Sequence, residues 1–250
     1  LKLFNRISDF KSIEKVVYSA AGCAVAEKTF DSANATDEDA SVSLFHDSPY
    51  SISKLIGEMY GNYFFQKNDM PFVKARFQNV YGPREILGAG KWRGTQHTVW
   101  RNVIPTFIFK SLNNEALPLD NGGKGTRDFI FVDDVVKGLI QCALIGNPGE
   151  AYNLASGKET SVFELAKLIN SITGNTTPLD LKKARDWDRS GKRFGSTRKS
   201  KEFINFEAEV EIDEGLNKTI EWTKNNLDLI KKTMAKHQNN LKEVTQYLKN

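Results

Sequence analysis

Tyr50 and Lys54 stand four residues apart in the stretch Asp47-Ser48-Pro49-Tyr50-Ser51-Ile52-Ser53-Lys54. On a helix that spacing puts both side chains on one face, one turn apart. A free phenol titrates near pH 10, and an ammonium one turn away favours its phenolate. The pair is therefore a candidate base for chemistry near neutral pH. Alone it would equally be an ordinary surface pair, so its weight comes from what surrounds it.

Positioning such a pair takes a helix with a defined start. Ser48 is a good N-cap and Pro49 a good first helical residue, so the spacing predicts a helix from Ser48 to about Gln66. Ile52, Leu55, Ile56, Met59, Tyr60 and Phe64 are expected as its core-facing stripe. Upstream, Glu14–Ser19 reads as a strand ending in the small residues Ser19, Ala20, Ala21 and Gly22, which would let a ligand approach a sheet edge. Downstream, Phe72–Phe77 reads as the next strand, broken by a turn at Asn79-Val80-Tyr81-Gly82-Pro83. Strand, helix and strand in this order make a right-handed parallel unit.

Further along, a helix is expected over about 105–113 and a short strand at 117–119. An extended stretch at 129–132 should be followed by a helix capped by Asp133. A strand at 151–155 leads to a helix capped by Thr160 or Ser161, and helical patterns return near 199–205, 213–225 and 226–248. The Gly-rich segment 84–100, with three basic residues and two Trp, is the kind of long loop that is usually functional or mobile.

The 250 residues are 40% hydrophobic and 26% charged, with a net charge of +4 and both signs interspersed. This mild excess gives no case for nucleic acid but allows a local basic pocket for an anion. The two cysteines, Cys23 and Cys142, are far apart and lack metal-ligand spacing, which predicts a reduced, cytoplasmic protein with no disulfide and no metal site. No apolar run reaches the length of a membrane span. The first residues, Leu1–Ile7, read as part of an amphipathic helix, so the chain is expected to be the C-terminal part of a longer one.

From Val16 to about Trp222 the motifs resemble the extended short-chain dehydrogenase/reductase family, in particular its nucleotide-sugar epimerases and dehydratases. The resemblance is carried by Ser19 followed by Tyr50-x-x-x-Lys54, by Arg76-Phe77-Gln78-Asn79-Val80-Tyr81-Gly82-Pro83, and by Asn102-Val103-Ile104-Pro105. It continues in Gly125-Thr126-Arg127-Asp128-Phe129-Ile130-Phe131-Val132-Asp133-Asp134 and in Arg185-x-x-Asp188 with Phe194-Gly195-Ser196. It implies an α/β fold: the C-terminal part of a Rossmann-type doubly wound parallel sheet, plus a smaller α/β substrate-binding domain. The expected division is 1–83 and 129–178 to the dinucleotide-binding part, and 84–128 and 179–250 to substrate binding.

The resemblance implies NAD as cofactor and a nucleotide-diphosphate sugar as substrate. Tyr50 would be the base. Lys54 would hold the nicotinamide ribose, Ser19 the hydroxyl being oxidised, and Phe77 would lie beside the nicotinamide. Asn79, Asn102, Arg127 and Arg185 would hold the diphosphate, with Asn153 and Ser156 near the nucleotide. A guanidinium fork suits phosphate oxygens. Arg127-Asp128 could also be a plain ion pair, and a register two residues later would put Ala21 in the place of Ser19. A homodimer is implied, with the Tyr50 and Leu1 helices as contributors. C4 epimerisation is favoured, because Ala20, Ala21, Gly22 and Cys23 offer no carboxylate for elimination or decarboxylation. A 4,6-dehydratase, a decarboxylase, or an inactive fragment or sugar-nucleotide binding protein are the rivals. The glycine-rich loop for the cofactor pyrophosphate does not occur in the sequence.

Overall fold

The computed structural model describes residues 1–22, 35–42, 45–46, 48–184 and 191–248. In chain order it runs α1 (Lys2–Ile7), β1 (Val16–Ala21), β2 (Ala35–Thr36), α2 (Pro49–Asn68), β3 (Phe72–Phe77), β4 (Asn79–Tyr81), α3 (Val103–Leu112) and β5 (Pro118–Leu119). It continues with β6 (Thr126–Arg127), β7 (Phe129–Phe131), α4 (Val132–Ile145), β8 (Ala151–Leu154), β9 (Thr160–Ser161), α5 (Val162–Thr173) and β10 (Asp180–Leu181). The last elements are β11 (Phe194–Gly195), α6 (Arg198–Ile204), α7 (Ile212–Asn225) and α8 (Leu227–Ala235).

The chain forms two compact units. The first comprises Leu1–Val80, Lys124–Ser161 and Ala184–Val210, and the second Tyr81–Gly123, Val162–Lys183 and Glu211–Asn250. Beside the expected division, 81–83 and 162–178 group with the second unit, and 124–128 and 184–210 with the first.

The first unit is built on a parallel sheet of order β1-β3-β8. Val16 pairs with Phe72 and Ala21 with Phe77, while Lys74 pairs with Ala151 and Phe77 with Leu154. Side chains alternate across a strand, and β3 uses both faces. Val73, Ala75 and Phe77 pack with Val17, Val135, Cys142, Tyr152 and Leu154 on the α4 side. Phe72 packs with Val16, Tyr18, Phe4 and Phe64 on the α1 and α2 side. Burial also explains Cys142, whose thiol is pushed up to about 12 by desolvation and is therefore unreactive.

Helix α2 begins as the sequence predicts, with the Ser48 hydroxyl accepting from the Ser51 N–H at 3.2 Å. Its expected core stripe is corrected. Leu55 and Phe64 are buried, but Ile52, Ile56, Met59 and Tyr60 are exposed, and the buried face carries Ser51, Glu58 and Gly61 instead. The reason is close approach. A Cβ at Gly61 would stand 1.9 Å from the Phe72 ring, and one at Gly57 would stand 2.0 Å from the Tyr18 hydroxyl. The glycines let the helix settle on β1 and β3, and this selects the face that turns inward.

Other corrections are local. Asn79–Tyr81, expected as a turn, is a short strand. Asp133 lies inside the first turn of α4 and Phe131 holds the N-cap position. The last helix stops at Ala235, and Lys242–Leu248 is a 3-10 segment. The second unit has its own core of Leu87, Val99, Phe109, Ile230, Met234, Val244 and Tyr247, and in it α3 packs on α5 and α7. No helix among the described residues is long and apolar enough to cross a membrane.

Candidate active site

Helix α2 carries Tyr50 and Lys54 past β1. The Lys54 Nζ donates to the Ser19 carbonyl at 2.7 Å. It also stands 5.7 Å from the centre of the Tyr50 ring and 5.6 Å from that of Tyr18. The ammonium thus sits between two phenol rings, at a distance where ring quadrupole and charge attract. Tyr50 is 55% exposed, open to a ligand. Tyr18 differs: its hydroxyl donates to the Lys54 carbonyl at 3.3 Å. Burial first, then the Glu58 carboxylate, push its phenol above the ordinary value. Of the two phenols beside Lys54, Tyr18 is fixed as a proton donor to the backbone and Tyr50 faces outward.

Ser19 meets the pair through its carbonyl. By strand alternation its side chain shares the α4 face with Val17 and Ala75, opposite the face on which α2 packs. Hence Ser19→Ala is expected to change kcat by less than about threefold, since the substitution leaves the carbonyl in place. A loss of about a hundredfold or more, the scale of a reacting hydrogen bond, would return the role to the hydroxyl. Phe77 lies at the end of β3 opposite Ala21, half-buried against the α4 core. The exposed Asn79 donates its backbone N–H to the Asp128 carbonyl at 2.9 Å.

Arg127 and Asp128 do different jobs. The Arg127 guanidinium donates from Nη1 to the carbonyls of Thr126 at 2.6 Å and Gly191 at 3.1 Å. Asp128 is 1% exposed. It accepts from the Ser156 N–H and hydroxyl at 2.8 and 2.7 Å, from the Gly157 N–H at 3.0 Å and from the Gly195 N–H at 3.2 Å. Its carboxylate therefore ties the loop after β8 to β11. Ser156, expected near the nucleotide, is one of its ligands. Asn153 donates from its side chain to the Thr36 and Ser196 carbonyls.

Asn102 belongs to the second unit. It stands at the N-cap position of α3, where its side-chain amide donates to the Glu85 carboxylate. Both line a pocket of about 330 Å³ with Lys91, Arg93 and Arg101. Burial pushes the Glu85 carboxyl up, against the Asn102 hydrogen bond. Arg185 lies outside the described residues, as do Cys23 and Asp188.

Sequence reasoning missed Glu38 and Glu58. Glu58 follows Lys54 by one further turn on the same face, a signal that was available in the spacing. Glu38 had none, since its partners come from far along the chain: its carboxylate accepts from the Asn153 N–H at 2.7 Å. Burial pushes the Glu38 carboxyl above the ordinary value, and the Asn153 bond only partly offsets this. A carboxyl raised in the folded state contributes stability that is complete below its unfolded value of about 4.3. That contribution is lost as pH rises through the folded value. Urea midpoints of the parent and Glu38→Gln should therefore diverge in one direction, the parent losing ground to the variant from pH 4 to 7. The opposite trend would mean that the hydrogen bond outweighs desolvation.

The residues present suit the nicotinamide end of a dinucleotide. An ammonium that donates to a single carbonyl among the described residues can exchange that partner for a ribose hydroxyl, beside an open phenol and the end of a parallel strand.

These features define an α/β protein with a candidate site at a parallel sheet. Residues 1–155 match the family model described as the NAD dependent epimerase/dehydratase family. The chain is 30% identical over 214 residues to a putative UDP-glucose 4-epimerase of Methanocaldococcus jannaschii, covering 86% of this chain and 64% of that protein. It is 30% identical over 184 residues to human dTDP-D-glucose 4,6-dehydratase, covering 72% and 49%. Among solved structures it resembles the Bordetella bronchiseptica enzyme WbmF in complex with NADH, at 55% identity and a TM-score of 0.83. That match covers 96% of this chain and 67% of WbmF. UDP-glucose 4-epimerase of Thermotoga maritima with UDP-glucose follows at 26% identity and a TM-score of 0.78, covering 90% and 68%.

The chain belongs to the NAD-dependent epimerase/dehydratase family, and its sheet is the Rossmann-type sheet of those relatives. It spans about half to two thirds of the length of the curated relatives it matches.

Proposed function

We propose that the protein containing this chain inverts the C4 configuration of a nucleotide-diphosphate sugar by oxidation and re-reduction at that carbon. The observation that carries this reading is the Lys54 ammonium held between β1 and the outward-facing Tyr50 ring. Bound NAD supplies the hydride acceptor and donor. Tyr50 Oη takes the proton of the sugar 4-hydroxyl and returns one to the new alcohol. Lys54 orients the ribose beside Tyr50, and the Ser19 carbonyl holds Lys54 in place. Phe77 lies beside the nicotinamide. Asn79, Asn102, Arg127 and Arg185 hold the diphosphate while the sugar turns, with Asn153 and Ser156 nearer the nucleotide. The protein acts in the cytoplasm as a homodimer, to which the exposed Ile52, Ile56 and Met59 of α2 and Leu1 and Leu3 of the first helix contribute apolar surface.

Dehydration is the second reading, favoured by the similarity to dTDP-D-glucose 4,6-dehydratase. Against it stand Ala20, Ala21 and Gly22 after Ser19, which place no carboxylate where an elimination needs an acid and a base. Incubating the full-length protein with UDP-, dTDP-, GDP- and CDP-hexoses in D₂O separates the two by NMR. Epimerisation gives the C4-inverted sugar with its C4 hydrogen retained. A 4-keto-6-deoxy product carrying deuterium at C5 would establish dehydration, and no turnover of any sugar would favour a binding role.

A further inference from the structure

Tyr50, Lys54, Glu58 and Asn62 follow one another at four-residue intervals on α2, and the last three each bond to the sheet. Lys54 reaches the Ser19 carbonyl of β1. Glu58 accepts from Arg76 of β3 in a bidentate pair, Nε to Oε1 at 2.9 Å and Nη2 to Oε2 at 2.7 Å. Asn62 Oδ1 accepts from Lys74 Nζ at 2.8 Å. Four residues of helix advance about 6 Å and two residues of strand about 6.6 Å, so the rungs at 58–76 and 62–74 match in pitch. Glu58 is 4% and Arg76 8% exposed, and Arg76 Nη1 also donates to the Glu38 carbonyl at 2.7 Å. Sliding α2 by one turn would leave both charges buried and unpaired, which is far more costly than losing an apolar contact. Apolar packing alone tolerates such sliding, and much of the apolar surface of α2 faces outward.

We propose that Glu58 is a positioning residue, whose pair with Arg76 indexes α2 along the sheet and so sets where Tyr50 and Lys54 stand. The proposal rests on the role given above to Tyr50. Arg76 lies on the strand that ends in Phe77, so the same pair ties the phenol to the residue placed beside the nicotinamide. A charged bidentate pair is suited to this because its two parallel hydrogen bonds fix both distance and direction.

The test uses the full-length protein with three variants: Glu58→Leu/Arg76→Met, Glu58→Asp and Tyr50→Phe. Replacing a buried pair by apolar residues is often neutral or stabilising, so the double variant should unfold within a few degrees of the parent. Its kcat should nevertheless fall on the order of a hundredfold, the cost of misplacing a reacting group by about 1 Å, while KM for the sugar nucleotide changes little. Without cofactor, hydrogen exchange over residues 49–60 should quicken about tenfold, with the rest of the chain unchanged. Glu58→Asp keeps the charge but shortens its reach by one methylene, and should lose about tenfold in kcat even where the double variant fails to fold. Parent kcat in Glu58→Asp, or parent kcat and parent exchange in the double variant, would overturn the proposal. If Tyr50→Phe is fully active, the reading of the site fails first. If Tyr50→Phe is inactive and the Glu58 variants are active, only the positioning role falls.

Discussion

Tyr50→Phe is expected to lower kcat by about a thousandfold in the full-length protein, with KM for the sugar nucleotide nearly unchanged. A positioned general base contributes on the order of 10²–10⁴ in rate, and a thousandfold corresponds to about 4 kcal/mol of barrier. The loss belongs to the chemical step because the substitution removes one oxygen and nothing that folds the protein. Tyr50 is exposed, and the N-terminal hydrogen bonds of α2 come from Ser48 and Ser51. The thermal midpoint should therefore stay within about a degree of the parent. Tyr18 cannot substitute for it, since its hydroxyl is occupied by the Lys54 carbonyl and burial disfavours its ionised form. Steady-state kinetics on the accepted sugar decides the matter: a variant with parent turnover would remove Tyr50 from the mechanism.

The second large effect is on stability. Asp128→Ala leaves three backbone N–H groups and the Ser156 hydroxyl without their acceptor, around a side chain that is 1% exposed. Each unsatisfied buried donor costs roughly 1–3 kcal/mol, and the sum is softened by relaxation, so a loss of about 3–5 kcal/mol is expected. For a chain of this size that lowers the thermal midpoint by roughly 10 °C. Asp128→Asn should recover only part of it. One carboxylate oxygen faces the Gly157 and Gly195 N–H groups and the other the two Ser156 donors, so the amide oxygen can serve one pair while the amide nitrogen, itself a donor, faces the other. Calorimetry of the two variants checks this, and a midpoint within two degrees of the parent for Asp128→Ala would show that water takes the carboxylate's place. Activity should fall as well, because the loops joined by Asp128 border Arg127 and Gly191.

Asp128 also shows what tertiary structure added to a motif that was legible. By sequence its neighbour Arg127 reads as a phosphate ligand, or the two as a plain ion pair. The charge of Asp128 is instead met by loops from residues 156–157 and 195, which no local pattern links to it. Helix α2 shows the same division. Its start was readable because capping is local chemistry, a Ser hydroxyl and a Pro within two residues. Its inward face is not readable in that way, because an apolar stripe assumes that burial follows hydrophobicity, whereas here Gly57 and Gly61 bring the backbone against Tyr18 and Phe72. Arg76 and Lys74, which periodicity alone reads as surface residues, are buried for that reason with Glu58 and Asn62 as partners.

By itself the sequence determined the elements whose signals lie within a few residues: the strand at 72–77, the cap and spacing of the Tyr50 helix, and the ordered motifs that mark the family. The tertiary structure decided which face of that helix turns inward, that Ser19 meets Lys54 through its carbonyl, and that Glu38, Glu58 and Asp128 are buried charges. Those outcomes depend on contacts between residues many positions apart, where packing and desolvation act only after the chain has folded back on itself.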